Sequence, residues 1–395
     1  MEKSRDIVIT GIQAWDIEIG SNCKNIAAEM SKKHRVLYVN PPLDVITYLK
    51  NRKDPKVGKR MQVINGRQQA VEKVKENLWV LTLPIMLFSA NWLPRFLFAW
   101  VNKMNSKRMA RAINKVIQQM EFKEVKLFCD SDMFRSFHLC EEVENSGFIY
   151  YSRDNLMTVP YWEKHGSFFE PAIMKKATMV ATNSPHLQKL ASGANPQSFY
   201  VGQGCETEDY AKEGLSKPKT LESITGVLVG YTGLLSSRRL SIDAIEQLAM
   251  DRPHYQIVLV GPEEDCFKKS DLHKLENVHF IGSVPPSELP AYVNAFDVCI
   301  NPQVSNELTK GNYPRKIDEY LAAGKPTVAT YTPTMEVFKD HCYLANESKE
   351  YAFLVDQALQ ENCTDRKEKR QEFASQHTWA NSVEAIWTNF NSIAV

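Results

Sequence analysis

The chain predicts an α/β protein built of two doubly wound domains in tandem, and three observations predict it. Its 395 residues exceed what one hydrophobic core usually serves. Strand-like apolar runs alternate with helical patterns, the rhythm of a parallel sheet covered on both faces. The alternation pauses at a polar stretch, TEDYAKEGLSKPKTLESIT, and then starts again.

In order, the first series places strands at RDIVITGI, RVLYVNPP, LWVLTLPI, VKLFCD, GFIYYS, TMVATNS and SFYVGQG, with helices around 22–33, 94–120, 133–145 and 184–192. The polar stretch has no long apolar run and reads as a linker. The second series gives strands at GVLVGYTG, YQIVLVGP, NVHFIGSV, DVCINP and PTVAT. Helices fall from Ser241 to about Met250, near Ser287 to Phe296, and across PRKIDEYLAAG. Domains are expected at 1–205 and 206–375, with a closing helix over 376–395. In the helix before PTVAT, Pro314 suits the first helical position and Gly324 the C-terminus. Ile317, Tyr320, Leu321 and Gly324 share one face, and Lys316, Glu319 and Ala323 the other. Glu319 is therefore expected to point away from the core.

Composition is that of an ordinary globular protein, 43% hydrophobic and 24% charged. Eight cysteines are scattered without a Cys-x-x-Cys pair or zinc-like His spacing, and no secretory signal precedes Asp6, so a reducing, cytoplasmic compartment is expected. Charge is uneven: residues 1–205 hold 29 Lys+Arg against 19 Asp+Glu, and 206–395 hold 19 against 28. Nine basic residues lie within 50–75, and LPIMLFSANWLPRFLFAWV follows at 83–101. Pro84, Asn91, Pro94 and Arg95 interrupt that run, which excludes a transmembrane helix. It fits either a strand ending near Pro84 and a helix from Pro94 with core aromatics, or an interfacial face of Trp92, Phe96, Phe98 and Trp100 docking on an anionic membrane. No nucleic-acid motif accompanies the basic residues, and no nucleic-acid partner is expected.

In open α/β sheets ligands bind beyond the carboxyl ends of the strands. In the second series those ends lead into LLSSRRLS, PEED, PPSEL and QVSNELTKGN. The last loop runs into the helix carrying Glu319. Helix-start amides with Lys310 and Lys316 form a candidate phosphate site, which Arg238 or Arg239 can close from across the sheet. No Asp-x-Asp stands at a strand end of this half, so no metal is expected.

Four stretches together resemble the retaining family 4 glycosyltransferases of the GT-B fold, in particular those of cell-surface polysaccharide synthesis. They are GYTGLLSSRRLSIDAIEQLA, NVHFIGSVPPSELPAYVNAFDVCINP, PRKIDEYLAAGKPTVAT and HTWANSVEAIW. HRVLYVNPP and MVATNSPHLQKL resemble less specific parts of the same family's acceptor domain. The resemblance implies two Rossmann-like domains facing across a cleft, a nucleotide-sugar donor bound by the second, and a terminal helix crossing back to the first.

By this resemblance Glu319 matches the second of two glutamates eight residues apart and accepts hydrogen bonds from the ribose hydroxyls. The position of the first is Gly311, and the nearest carboxylate is Glu307. Sugar contacts would then fall to main chain, Asn306, Glu307, Thr309 or Asn312. The donor-site set is Gly233, Arg239, Val284, Glu307, Thr309, Gly311, Asn312, Tyr313 and Glu319. Arg238, Lys316 and Asp154 are assigned to the chemistry, and Trp15, Asp16 and His165 to the acceptor. A capping role for Asp154, a surface role for His165 and a packing role for Trp15 and Asp16 are the plain alternatives. The activity implied is retaining transfer of a sugar to a saccharide or lipid-linked acceptor, with no cofactor and no metal. A silent nucleotide-sugar-binding homologue, a scaffold or a nucleotide-sugar epimerase are the competing classes.

Overall fold

The computed structural model describes residues 4–17 and 20–393. They divide into two compact units, one of Met1–Gly202 with Ser382–Val395 and one of Gln203–Asn381. The first contains strands β1 (Asp6–Gly11), β2 (Arg35–Val39), β3 (Leu43–Asp44), β4 (Val71–Lys75), β5 (Leu78–Leu81), β6 (Met86–Leu87), β7 (Lys126–Asp130), β8 (Phe148–Ser152), β9 (Met179–Thr182) and β10 (Ser198–Tyr200). Eight of them form one sheet in the order β10-β9-β8-β7-β1-β2-β5-β4, while β3 pairs with β6 apart from it. Only β4 runs antiparallel to its neighbour. β1 is buried along its whole length, with Ile9 opposite Tyr38 on one side and Phe128 on the other. That burial on both faces is why RDIVITGI reads as a continuous apolar run rather than an alternation.

The second unit contains β11 (Val227–Thr232), β12 (Tyr255–Val260), β13 (Val278–Gly282), β14 (Val298–Asn301), β15 (Thr327–Thr330) and β16 (Tyr343–Ala345), in the all-parallel order β13-β12-β11-β14-β15-β16. β11 sits where the order of connections reverses, so its carboxyl end opens a crevice between neighbouring loops. Both units are thus doubly wound α/β sheets. Residues from Ser382 on, within the last helix Trp379–Ile393, belong to the first unit, where Trp387 stands edge-on to His34 at 5.4 Å and under the Arg5 guanidinium at 4.5 Å.

Several expectations need correcting. The polar stretch after 205 is no free linker: Thr207–Tyr210 is helical, and Tyr210 and Leu221 are buried in the second core, two anchors too sparse to show as an apolar run. The basic segment is structured too. Asp54 caps a helix over Pro55–Ile64 that buries Val57 and Val63, and β4 follows as an edge strand whose charged residues face outward. The helix expected over 133–145 is reduced to two short turns, Arg135–Phe137 and Leu139–Glu142. Pro314 is the N-cap, not the first helical residue, of helix Arg315–Ala322. Of the four interfacial aromatics, Phe98 is core, 5% exposed, whereas Trp92, Phe96 and Trp100 are 67%, 72% and 61% exposed.

Candidate functional site

β11 delivers the chain into Gly233 at φ 133°, a conformation that side chains rarely adopt. Its N–H donates to Val260 O at 2.8 Å, and a Cβ there would stand 2.8 Å from Lys316 Nζ and 3.0 Å from the Tyr231 hydroxyl. The absence of a side chain leaves that corner to the lysine. Lys316, from the first turn of helix Arg315–Ala322, donates to the Tyr231 hydroxyl and lies 4.0 Å over its ring.

The loops after β11 and β14 are stitched together around this corner. Asn306 donates to Arg238 O at 2.9 Å, and Val304 N–H to Arg239 O at 2.9 Å. The backbone of both arginines is fixed, while their side chains are exposed. Arg239 is close enough for its charge to act on Tyr231 and Lys316. Burial, with Arg239 adding to it, lowers the Lys316 pKa to about 7, against the opposing pull of Glu319.

Glu319 is not the solvated carboxylate that the helical-wheel argument predicts. It is half-buried, receives a hydrogen bond from Tyr210, and lies beside Arg315 and Lys316. Burial raises its pKa, and the two cations pull it back down. The wheel fails because helix Thr207–Tyr210 covers the face that it leaves open. The neighbouring Asp318 is more deeply placed: it is fully buried, its Oδ1 lies 2.6 Å from His377 Nδ1, and the Tyr313 hydroxyl lies 3.4 Å from that same nitrogen.

The remaining donor candidates divide. Thr309 is buried and forms a reciprocal capping box with Asn306, so its hydroxyl is committed to holding helix Glu307–Gly311. Glu307 is exposed and pairs with Lys310 at 2.8 Å. Gly311 and Asn312 are buried, and Tyr313 packs 5.4 Å from the Phe338 ring in the second core. Val284, two residues past β13, packs against the same core. Gly233, Arg239, Lys316 and Glu319 therefore converge, Arg238 adjoins them, and Thr309 and Tyr313 shape the fold around them. Tyr210, Tyr231, Arg315 and Asp318 were missed by the sequence reading; only Arg315, adjoining Lys316 in a helix start, gave a signal.

In the first unit the candidates do not form one group. Asp154 pairs with Arg153 at 2.6 Å, and Arg153 also holds the fully buried Asp130 at 2.8 Å. Asp16 pairs with Arg60 at 2.9 Å, while the Trp15 ring stands edge-on to Tyr38 at 5.3 Å and the Trp15 backbone N–H donates to Asn40 Oδ1. His165 is not on the surface: it is 2% exposed, stacks on Phe98 at 4.1 Å, and its Nε2 lies 3.0 Å from Asn91 O. Asp130 and Asp132, closing β7 on either side of Ser131 at φ 56°, were missed; the run CDSD at a strand end is the signal that marks them. Among the described residues no group of three or more His, Cys, Asp or Glu side chains is placed to hold a metal ion. Among the described residues no helix is long and apolar enough to cross a membrane.

Two doubly wound units, with a cationic corner and a carboxylate at the switch point of the second, define the class: the chain has the fold of the GT-B glycosyltransferases. Residues 227–361, the core of the second unit, match the family described as glycosyl transferases group 1. In sequence the chain is 28% identical over 183 residues to a Bacillus subtilis protein named as the teichuronic acid biosynthesis glycosyltransferase TuaH. That match covers 44% of this chain and 46% of the relative, less than half of each. In structure it resembles Anabaena HepE in complex with UDP, with TM-score 0.67, 16% identity, and 98% and 100% of the two chains covered. It also resembles the sucrose-phosphate synthase of Thermosynechococcus elongatus, with TM-score 0.67, 13% identity and 99% of each chain covered. At these identities the structural likenesses speak for the fold.

Proposed function

We propose that the protein is a retaining glycosyltransferase that moves a hexosyl group from a nucleotide-sugar donor to a saccharide or lipid-linked acceptor. Its setting is cell-surface polysaccharide or glycolipid synthesis on the cytoplasmic side of an anionic membrane. The observation that carries the reading is the convergence of Gly233, Lys316, Arg239 and Glu319 at the carboxyl end of β11. There a diphosphate meets two cations while a ribose diol meets an acceptor-only carboxylate. The name of the Bacillus relative and the UDP, or UDP and glucose, bound in two Anabaena HepE structures support it.

In the reaction the bond from the anomeric carbon to the β-phosphate oxygen breaks, and the acceptor oxygen bonds to that carbon on the same face. The acceptor proton passes to the departing phosphate oxygen. No enzymatic nucleophile is required, so the protein acts by position and charge. Lys316, Arg238 and Arg239 hold the growing charge on the diphosphate, Glu319 fixes the ribose, and Asp154, held by Arg153, orients the acceptor.

Calorimetric titration with UDP, ADP and GDP, followed by product analysis with the matching nucleotide sugars, tests the reading. The expected result is preference for one nucleoside diphosphate and a product of unchanged anomeric configuration. An inverted product overturns retention, and absence of nucleotide binding overturns the whole assignment. Nucleotide binding without a product favours the silent homologue, the alternative that Gly311 at the first glutamate position recommends.

A further inference from the structure

We propose that His377 is a positioning residue for donor binding: by holding the carboxylate of Asp318 it leaves Arg315 and Lys316 to Glu319, and so keeps that second carboxylate set for the ribose diol. This rests on the glycosyl-transfer reading. Asp318 and Glu319 are neighbours on helix Arg315–Ala322, with Arg315 and Lys316 on its first turn. Arg315 stands three residues before one carboxylate and four before the other, so either pairing is within its reach.

His377 comes from the turn between helix Thr364–Ser375 and the last helix, and it is firmly seated. Its ring stands edge-on to Phe373 at 4.5 Å and to Phe338 at 6.1 Å, and its carbonyl accepts from the Cys205 N–H at 2.9 Å. Cys205 Sγ lies 3.8 Å from Arg315 O, and a Cβ on Gly204 would meet the Trp379 ring at 2.2 Å. The Arg315 guanidinium stands 5.9 Å over that same ring. The segments that begin and end the second unit therefore close together on the first turn of the helix that carries Lys316 and Glu319.

Two buried carboxylates then compete for one arginine. Asp318 Oδ1 lies 2.6 Å from His377 Nδ1, while its Oδ2 is enclosed and has no hydrogen-bond partner among the described residues. Burial pushes the Asp318 pKa up; the hydrogen bond and charge of His377 oppose this first, ahead of Tyr313 and Arg315. Burial also raises the Glu319 pKa, and there Arg315 opposes it first, ahead of Lys316 and Tyr210. A buried carboxylate that loses its partner is strongly destabilising. Without the imidazole, Asp318 keeps its charge only by drawing Arg315 from Glu319, which turns the ribose-binding carboxylate out of place. His377 prevents that exchange.

The full-length chain is titrated with UDP, ADP and GDP, and then with the tightest of them against its 2′,3′-dideoxy form, which lacks the diol. Hydrogen bonds to a charged carboxylate should give the wild type at least about a 10-fold preference for the ribonucleotide. His377→Leu should bring that preference below about 3-fold, while affinity for the dideoxy form changes by less than about 2-fold. A role confined to folding would instead weaken both nucleotides alike. His377→Asn, whose amide can donate from close to the position of Nδ1, should recover most of the preference. So should the double variant His377→Leu, Asp318→Asn, which removes the orphaned charge. Equal loss for the two nucleotides, an undiminished preference in His377→Leu, or a double variant as indifferent as His377→Leu overturns the proposal. If His377→Leu does not fold, the double variant decides: folded and discriminating it upholds the proposal, unfolded or indifferent it overturns it. Each of these outcomes with wild-type discrimination intact leaves the transferase reading standing. A wild-type chain without the preference removes the ribose role of Glu319 and this proposal with it, and one that binds no nucleotide removes the transferase reading.

Discussion

Lys316 should make nucleotide binding pH-dependent in a window where a normal lysine would be silent. Burial and Arg239 hold its pKa at about 7 in the free protein, against an ordinary value of about 10.4. A diphosphate beside its ammonium favours the charged form, so the pKa rises on binding and a proton is taken up. The sign follows. Affinity is highest while the free lysine is protonated, and it falls as pH rises through about 7 until the pKa of the complex is reached. If the pKa of the complex returns to the ordinary value of about 10.4, affinity follows the protonated fraction of the free lysine, which falls from one half at pH ~7 to one hundredth at pH ~9. UDP should then bind about 50-fold more weakly at the upper pH, roughly 2.3 kcal/mol. Working above pH ~7 also avoids the second phosphate ionisation, near 6. Calorimetry in buffers of different ionisation enthalpy should show close to one proton taken up per UDP at pH ~8. Lys316→Met should bind weakly and lose the dependence. A flat wild-type profile, or a Lys316→Met profile that keeps the slope, would refute a lysine against the diphosphate.

Glu319→Gln keeps size but gives up charge and half of the acceptor capacity. With charged hydrogen bonds worth about 1.5–3 kcal/mol, kcat/KM should fall roughly 10- to 100-fold; unchanged nucleotide affinity in a folded variant would exclude the ribose role. Gly233→Ala puts a Cβ 2.8 Å from Lys316 Nζ at φ 133°, so it should cost roughly 1 kcal/mol, a fall of about 2–4 °C in Tm, and weaken UDP binding. Wild-type Tm and affinity together would show that the corner is roomier than the geometry says. Turnover should persist in EDTA because the diphosphate's charge is met by Lys316, Arg238 and Arg239; a loss restored by magnesium or manganese would count against that arrangement.

The fold was legible because both sheets, edge strand β4 apart, are parallel and doubly covered. Such strands announce themselves as apolar runs, as in RDIVITGI and YQIVLVGP, and their alternation with helices marks a parallel sheet. What stayed hidden was structure held by few residues. Edge strand β4 reads VEKVK because one side of it is open to solvent, and the segment after Glu206 is anchored by little more than Tyr210 and Leu221. The basic stretch 50–75 illustrates the same limit. Its charges describe the surface of helix Pro55–Ile64, and only Asp54-Pro55, a cap and a first turn, marks the element beneath.

The site was half legible for a related reason. Helical periodicity correctly separates Ile317, Tyr320 and Leu321 from Lys316 and Glu319, but it describes one helix in isolation. What it leaves facing outward can be covered by another element, and here helix Thr207–Tyr210 brings the Tyr210 hydroxyl to Glu319. That covering changes the chemistry. A solvated Glu319 and Lys316 would be an exposed pair worth little; enclosed, they hold their charges against a burial that favours the neutral forms. A ligand whose diphosphate offers the lysine a counter-charge and whose ribose offers the carboxylate two donors relieves both penalties at once. Under the proposed reading the pair should therefore discriminate a whole nucleoside diphosphate from its phosphate or nucleoside fragments, which calorimetry with UDP, uridine and inorganic diphosphate checks.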